Sequence, residues 1–243
     1  MTYSAAHPNW QERTIQYIGS EKSKKLNASN VLVTGLGGVG AIAAEMLCRS
    51  GIGNLTIVDG DVIQPGNLNR QLPALHSTIG KKKADVLGQK LKDINPDLNL
   101  FVIDEFIKDD RMEAILDQSF DYVVDAIDTL SPKIFLIYHA VSRGLPVVSS
   151  MGSGAKLDPA QIHISDLSES YNCRLAYVLR KKLRKLGVET GVKVVFSTEQ
   201  VDKRAVIPIK GEDNKKSTIG TISYIPAIFG CMLASVVIRD LME

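Results

Sequence analysis

Gly35-Leu36-Gly37-Gly38-Val39-Gly40 follows directly on the apolar run Val31-Leu32-Val33 and precedes the alanine-rich stretch 41–48. A buried strand, a glycine turn and a helix, in that order, form the setting in which such a pattern binds phosphate. Glycine lets the backbone turn tightly and come close to an anion. The free N–H groups and the dipole of the helix start attract it. A second strand, 55–58, ends in Asp59, where a carboxylate can take the hydroxyls of a ribose. Nucleotide binding follows, with NAD, FAD and ATP all open at this point.

The remainder keeps the same rhythm. Strands are expected at 100–103, 122–125 and 146–149, and helices at 83–94, 109–116 and 132–142. Alternating strands and helices imply right-handed βαβ units around a parallel sheet. After Ser150 the pattern changes. Gly152 and Gly154 make a loop, 162–164 alternates like a strand, and 174–186 reads as a basic helix. Segments 192–196 and 205–209 read as strands with exposed edges or antiparallel partners. The fold class expected is α/β: a Rossmann-like, doubly wound, mostly parallel sheet, extended in its C-terminal part by antiparallel strands. One domain spans 1–243, with a nucleotide-binding core at 31–150 and a substrate- and dimer-contributing part at 151–243. The first thirty residues read as polar, with a short amphipathic piece at 10–18.

Composition sets the outer bounds. A chain of 243 residues that is 44% hydrophobic and 23% charged builds one large core and is neither disordered nor collagen-like. The net charge of +2 excludes a polycation, so any nucleic-acid surface must be local. Cys48, Cys173 and Cys231 stand apart with no CxxC pair, which argues against a structural zinc site. Residues 1–30 hold no apolar core of a secretory signal, and a cytoplasmic location is expected. Segment 217–238 has 22 residues without a charge, long enough to span a bilayer. Pro226, Gly230 and several hydroxyl residues make it instead a buried helix starting near Pro226, with no membrane expected.

The segment after Asp59 decides among the nucleotides. It brings Asn67, Arg70, Gln71 and Lys81-Lys82-Lys83 just past the ribose-binding acid. A dinucleotide has two phosphates already served by the glycine turn. A triphosphate carries a tail that must be neutralised and held as it leaves, which a forked Arg and a compact Lys do. Asp128, beyond the strand 122–125, suits magnesium held jointly with phosphates. An NAD oxidoreductase lacks support, since no Tyr-x-x-x-Lys constellation is evident. A non-catalytic nucleotide scaffold should lack an acid or a phosphate cation, and every expected one is present.

Together Gly35-x-Gly-Gly-x-Gly40, Asp59-Gly-Asp61, Asn67-Leu-Asn-Arg70-Gln71, Gly80-Lys-Lys-Lys83 and Asp125-Ala-Ile-Asp128 resemble the motifs of the ubiquitin-activating-like adenylating enzymes. Asp93-Ile-Asn-Pro96, Ser149-Ser-Met-Gly-Ser-Gly154, Leu157-Asp-Pro159, Asp166-Leu167 and Phe196-Ser-Thr-Glu199 are similar to the tRNA threonylcarbamoyladenosine dehydratases within that superfamily. The resemblance implies ATP and magnesium, with room for a monovalent cation. It places Gly35, Gly37, Gly38, Gly40, Asp59, Asp61, Asn67, Arg70, Gln71, Lys83, Asp128 and Thr129 against ATP, with Asp128 on the metal. It gives the catalytic roles to Arg70, Lys83, Asp128 and Arg13, with Arg13 reaching the partner subunit's ATP in a homodimer. The implied reaction is adenylation of the threonine carboxylate of a modified adenosine next to the anticodon, then ring closure with loss of AMP. The alternative is adenylation of a ubiquitin-like sulfur carrier, against which the missing CxxC pairs weigh. A sulfur-relay or cysteine-desulfurase-type partner is also implied. Cys173 stands where a mobile crossover loop carrying an acyl-accepting cysteine could lie, and equally where a packing residue opens the basic helix.

Residues 174–216 hold twelve Lys and Arg against five acids, so the rest of the chain is net acidic. Such asymmetry is the footprint of a polyanion surface. Arg174, Arg180, Lys181, Lys182, Arg184, Lys185, Lys203 and Arg204 are the candidate tRNA contacts; Lys193, Lys210, Lys215 and Lys216 complete the excess.

Overall fold

The computed structural model describes residues 9–208 and 217–243. Its main sheet has seven strands: β1 (Asn30–Thr34), β2 (Asn54–Val58), β3 (Asn99–Ile103), β4 (Tyr122–Asp125), β5 (Val147–Ser150), β6 (Ile162–Asp166) and β7 (Lys193–Ser197). Their spatial order is β3-β2-β1-β4-β5-β7-β6, all parallel except β6, which runs antiparallel to β7. The direction of winding reverses between β1 and β4, and at such a switch point the carboxyl ends of the strands open into a crevice.

Alternation along β1 explains the two-faced core. Val31 and Val33 point to one face and Leu32 to the other, all fully buried. The first face is covered by helices α2 (Ser20–Ala28), α3 (Gly40–Arg49), α4 (Lys83–Ile94) and α8 (Tyr224–Met242), through Leu26, Leu47, Leu87, Leu91, Phe229 and Leu233. The second is covered by α5 (Asp109–Leu116), α6 (Leu130–Ser142) and α7 (Arg174–Arg184), through Ile115, Leu136, Ile137, Ala176 and Leu179. Helix α1 (Glu12–Ile18) precedes α2 and buries none of its residues.

The 192–196 strand meets the antiparallel-partner alternative: β7 lies between β5 and β6 and pairs antiparallel with β6, which borders the sheet on that side. Its near-continuous Val-Val-Phe run is what a strand covered on both faces needs. Two other details differ from the expectation. The 205–209 segment leaves the main sheet; Val206–Pro208 forms β8 and pairs antiparallel with β9 (Ser217–Ile219) in a separate ribbon. Helix α2 is an addition, since its sequence is almost wholly polar and Leu26 alone gives it an apolar anchor.

The apolar C-terminal segment is a helix of 19 residues, the only one described that is long and apolar enough to cross a membrane. Its inner side packs along α3. Gly230 permits the contact, because a Cβ there would lie 2.4 Å from the Val39 carbonyl oxygen. Pro226 sits in its first turn, as expected.

Candidate active site

The glycine turn is fixed by its surroundings. Gly35 has φ of +81°, and a Cβ on it would lie 2.7 Å from the carbonyl oxygen of Ala126. A Cβ on Gly40 would lie 1.8 Å from the Gly35 carbonyl oxygen. Gly38 faces the chain segment that carries Arg70: its Cβ would come within 3.1 Å of the Arg70 carbonyl oxygen and 3.0 Å of Pro226. A Cβ on Gly37 meets only Gln71 Nε2, at 3.7 Å. The turn is packed tightly from behind and has room in front, as a phosphate cradle at a helix start requires.

Asp59 ends β2 beside the turn. Its Oδ2 accepts from the Leu36 N–H at 2.6 Å and its Oδ1 from the Asp61 N–H at 2.8 Å. Burial pushes its carboxyl above the usual range; the nearby Lys83 ammonium and the two N–H donors pull the other way. The acid expected to meet the ribose therefore also fixes the approach to the turn.

Lys83 reaches the site because the segments 61–63 and 80–83 are laced together. Ile63 N–H donates to the Lys81 carbonyl, and Lys83 N–H to that of Asp61. The Lys83 side chain is buried and its Nζ lies 2.6 Å from Asp61 Oδ2. Lys82 turns to Asp104 at 3.2 Å. Of the Lys-Lys-Lys run, then, position 83 alone is drawn inward, onto Asp61.

Asn67 closes its own turn, with Oδ1 accepting from the Gln64 N–H at 2.9 Å. Arg70 donates from Nη1 to the Gly66 carbonyl and to Asn69 Oδ1, each at 2.8 Å. Gln71 is buried next to Gly37, and its Oε1 has no protein donor. An orphaned acceptor beside an open cradle fits a ligand that carries donors, such as the hydroxyls of a nucleotide. Asp128 and Thr129 occupy the loop from β4 into α6, Asp128 exposed and Thr129 at the N-cap.

Beneath that loop lies a feature that the sequence reading missed. Lys133 Nζ and Asp125 Oδ2 form an ion pair at 2.6 Å, both side chains fully buried. Ser149 Oγ donates to the same carboxylate oxygen at 2.6 Å, Asp125 Oδ1 accepts from the Ile127 N–H, and Lys133 Nζ donates to the Ile127 carbonyl. The pair thereby holds both polar backbone groups of Ile127 and fixes the root of the Asp128 loop. The sequence carries only part of the signal: Lys133 stands between a strand-end aspartate and the apolar run 134–141, and a lysine there must be paired if it is buried, but nothing local says that it is.

The crevice rim is clasped as well. Glu199 accepts from the N–H groups of Leu157 and Asp158, each at 2.9 Å, while Lys156 Nζ donates to the Glu199 carbonyl. Burial pushes the Lys156 ammonium pKa down.

Arg13 stands apart. It is exposed on α1, next to Gln11, whose side chain lies against Gly51 beyond the C-terminus of α3. Helix α3 starts at the glycine turn and runs away from it, so Arg13 lies at the opposite end of the sheet from its own chain's crevice. Cys173 is buried among the side chains covering the second face, at the N-cap of α7, which is a packing position.

The basic helix divides. Arg174, Lys181, Lys182, Arg184 and Lys185 are exposed. Lys181, Arg184 and Lys185, with Tyr177 and Arg180, line an open depression of about 460 Å³. Arg180 itself turns inward and donates to the Ser170 and Leu167 carbonyls at 2.5 and 3.2 Å, which ties it to the preceding turn. Exposed Arg204 is paired with Asp202 at 2.7 Å. Lys210, Lys215 and Lys216 lie outside the described residues, as does the side chain of Lys203.

A family model described as the ThiF family matches residues 11–243. The tRNA threonylcarbamoyladenosine dehydratase of Bacillus subtilis is 38% identical over 233 residues, covering 93% of this chain and 92% of its own. The crystal structure of the E. coli tRNA N6-threonylcarbamoyladenosine dehydratase TcdA in complex with ATP superposes with a TM-score of 0.89 at 31% identity, over all of this chain and 97% of that one. An adenylyltransferase and sulfurtransferase, UBA4 of Lodderomyces elongisporus, is 31% identical over 150 residues, which is 62% of this chain and 33% of its own.

Proposed function

The chain belongs to the ThiF family, and on that premise we propose that it is an ATP-dependent tRNA threonylcarbamoyladenosine dehydratase. The observation that carries this reading is end-to-end likeness to an ATP-bound dehydratase in a chain whose tight glycine turn has Arg70 beside it and Asp59 bonded to it, with Lys83 paired to nearby Asp61. The sulfur-carrier reading is disfavoured, because its relative aligns over the shorter stretch and this chain lacks CxxC pairs.

A carboxylate is a poor electrophile because oxide is a poor leaving group. Attack of the threonine carboxylate on the α-phosphorus of ATP forms an acyl–oxygen–phosphorus link and releases pyrophosphate. An internal nucleophile of the threonylcarbamoyl group then attacks the activated carbonyl carbon. It loses a proton, AMP leaves, and the ring is one water lighter. Ring closure is intramolecular, so holding the two ends in register supplies much of the rate and no enzyme nucleophile is needed.

In this reading the 35–40 turn cradles the α-phosphate and Asp59 holds the ribose. Asn67, Arg70 and Lys83 offset the charge that builds on pyrophosphate. Lys83 stays neutralised by Asp61 until the phosphate tail offers a better partner. Asp128 is a hard oxygen donor at the crevice mouth and would hold magnesium together with phosphate oxygens. Exposed Lys181, Lys182, Arg184 and Lys185 would meet tRNA phosphates. Arg13, remote from its own crevice, would complete the site of a second copy in a symmetric homodimer.

The direct test is incubation with ATP and tRNA bearing threonylcarbamoyladenosine, followed by nucleoside mass analysis. Loss of one water supports the assignment, and an unchanged nucleoside rejects it. Mixing Arg13→Ala with Arg70→Ala subunits tests site sharing. Random exchange in a symmetric dimer restores about a quarter of wild-type turnover if Arg13 acts across the interface, and none if it does not. Co-purification with a cysteine-desulfurase-type protein tests the partner that the family resemblance implies.

A further inference from the structure

Asn69 sits beside Arg70, is exposed, and has no part in the roles assigned above. Its amide makes two bonds in opposite directions. Oδ1 accepts from Arg70 Nη1 at 2.8 Å, and Nδ2 donates to the Thr221 carbonyl oxygen at 2.9 Å. The Thr221 stretch is itself held: Ala155 N–H donates to the Gly220 carbonyl, and Gly220 N–H to that of Ala205, both at 2.8 Å. Asn69 is thus a splint between the 66–71 turn and the second half of the chain.

The consequence lies in the geometry of the guanidinium. Nη1 carries two protons, and both are engaged, one by Gly66 O and one by Asn69 Oδ1. The remaining edge, Nε–H and Nη2–H, has no acceptor among the described residues. That edge is the fork that binds two oxygens of one phosphate or carboxylate. The Arg70 carbonyl oxygen and Cγ lie against Gly38, 3.1 and 3.4 Å from a Cβ built there, so the side chain is rooted beside the glycine turn.

We propose that Asn69 is a positioning residue: it fixes the plane of the Arg70 guanidinium so that the Nε/Nη2 edge faces the leaving pyrophosphate, and Thr221 holds it in that pose. The inference rests on the adenylating reading of the site. Without the Asn69 carbonyl, the guanidinium rotates about its last torsions and the bidentate contact is made only part of the time.

The readout is discrimination between ATP and AMP, because only ATP has the tail that Arg70 meets. Calorimetric titration of the full-length chain with a non-hydrolysable ATP analogue and with AMP gives a ratio of affinities. Asn69→Ala is expected to lower that ratio about tenfold, the size of one charge-assisted hydrogen bond, with AMP affinity and melting temperature unchanged. Asn69→Asp keeps an acceptor for Nη1 but cannot donate to Thr221 O, and is expected to recover at least half of the lost discrimination on a logarithmic scale. A ratio unchanged in Asn69→Ala overturns the proposal. So does an equal loss of ATP and AMP affinity, which marks a general structural role. Arg70→Ala separates the two levels: if it too leaves the ratio unchanged, the placement of Arg70 at the phosphate tail fails as well.

Discussion

Lys133 shows how much one residue can be asked to carry. Its ammonium is fully buried and meets a fully buried carboxylate, so each charge depends on the other. Lys133→Met leaves Asp125 uncompensated and is expected to cost about 3–5 kcal/mol in chemical denaturation. The double variant with Asp125→Leu removes both charges and should recover much of that stability while turnover stays lost, because the Asp128 loop has lost its root. Arg70→Ala and Asp128→Ala act differently. Both side chains lie outside the core, so each should reduce turnover at least about a hundredfold with little change in melting temperature, in line with loss of transition-state charge stabilisation. Gly40→Ala would place a methyl 1.8 Å from the Gly35 carbonyl oxygen, and loss of ATP binding is expected from calorimetry. These glycines were legible as a tight turn between a strand and a helix; the Asp125–Lys133 pair was not, since nothing local tells a buried lysine from a solvated one.

At the scale of elements, the charges of helix α7 fall into two groups. Its exposed charges can face a polyanion, whereas Arg180 braces the 167–170 turn. Replacing Lys181, Lys182, Arg184 and Lys185 by Glu should raise the Michaelis constant for tRNA while ATP binding holds; unchanged tRNA kinetics would remove this helix from the RNA surface. The neighbouring turn brings a pH signature. Burial opposes the charge on Asp166, but hydrogen bonds from Ser168 Oγ and N–H and from the Gly191 N–H outweigh it and hold its carboxyl below the usual range. A depressed carboxyl adds stability above its unfolded pKa and loses it as pH falls through the folded value. The stability difference between wild type and Asp166→Asn should therefore be full at neutral pH and shrink below about pH 4. Helix boundaries such as Lys83–Ile94 and Asp109–Leu116 could be read directly, because amphipathic spacing is local. The rank of β7 in the sheet could not, because strand order is set by which neighbours fill both faces.

For the whole molecule, the sequence by itself determined the doubly wound class, the glycine cradle, the strand-end acids and the apolar C-terminal helix. Each is written in short-range spacing: apolar periodicity, a turn that tolerates positive φ, a carboxylate at the end of a strand. Only the tertiary structure decided which lysine of the 81–83 run reaches the cluster, that Arg180 is a brace, and that Arg13 lies across the sheet from its own crevice. It also decided that Asn69 joins Arg70 to a residue far along the chain. Charges of one kind look alike along a sequence. They are told apart by burial and by partners distant in the chain, and both come into being only when the sheet closes between its helices.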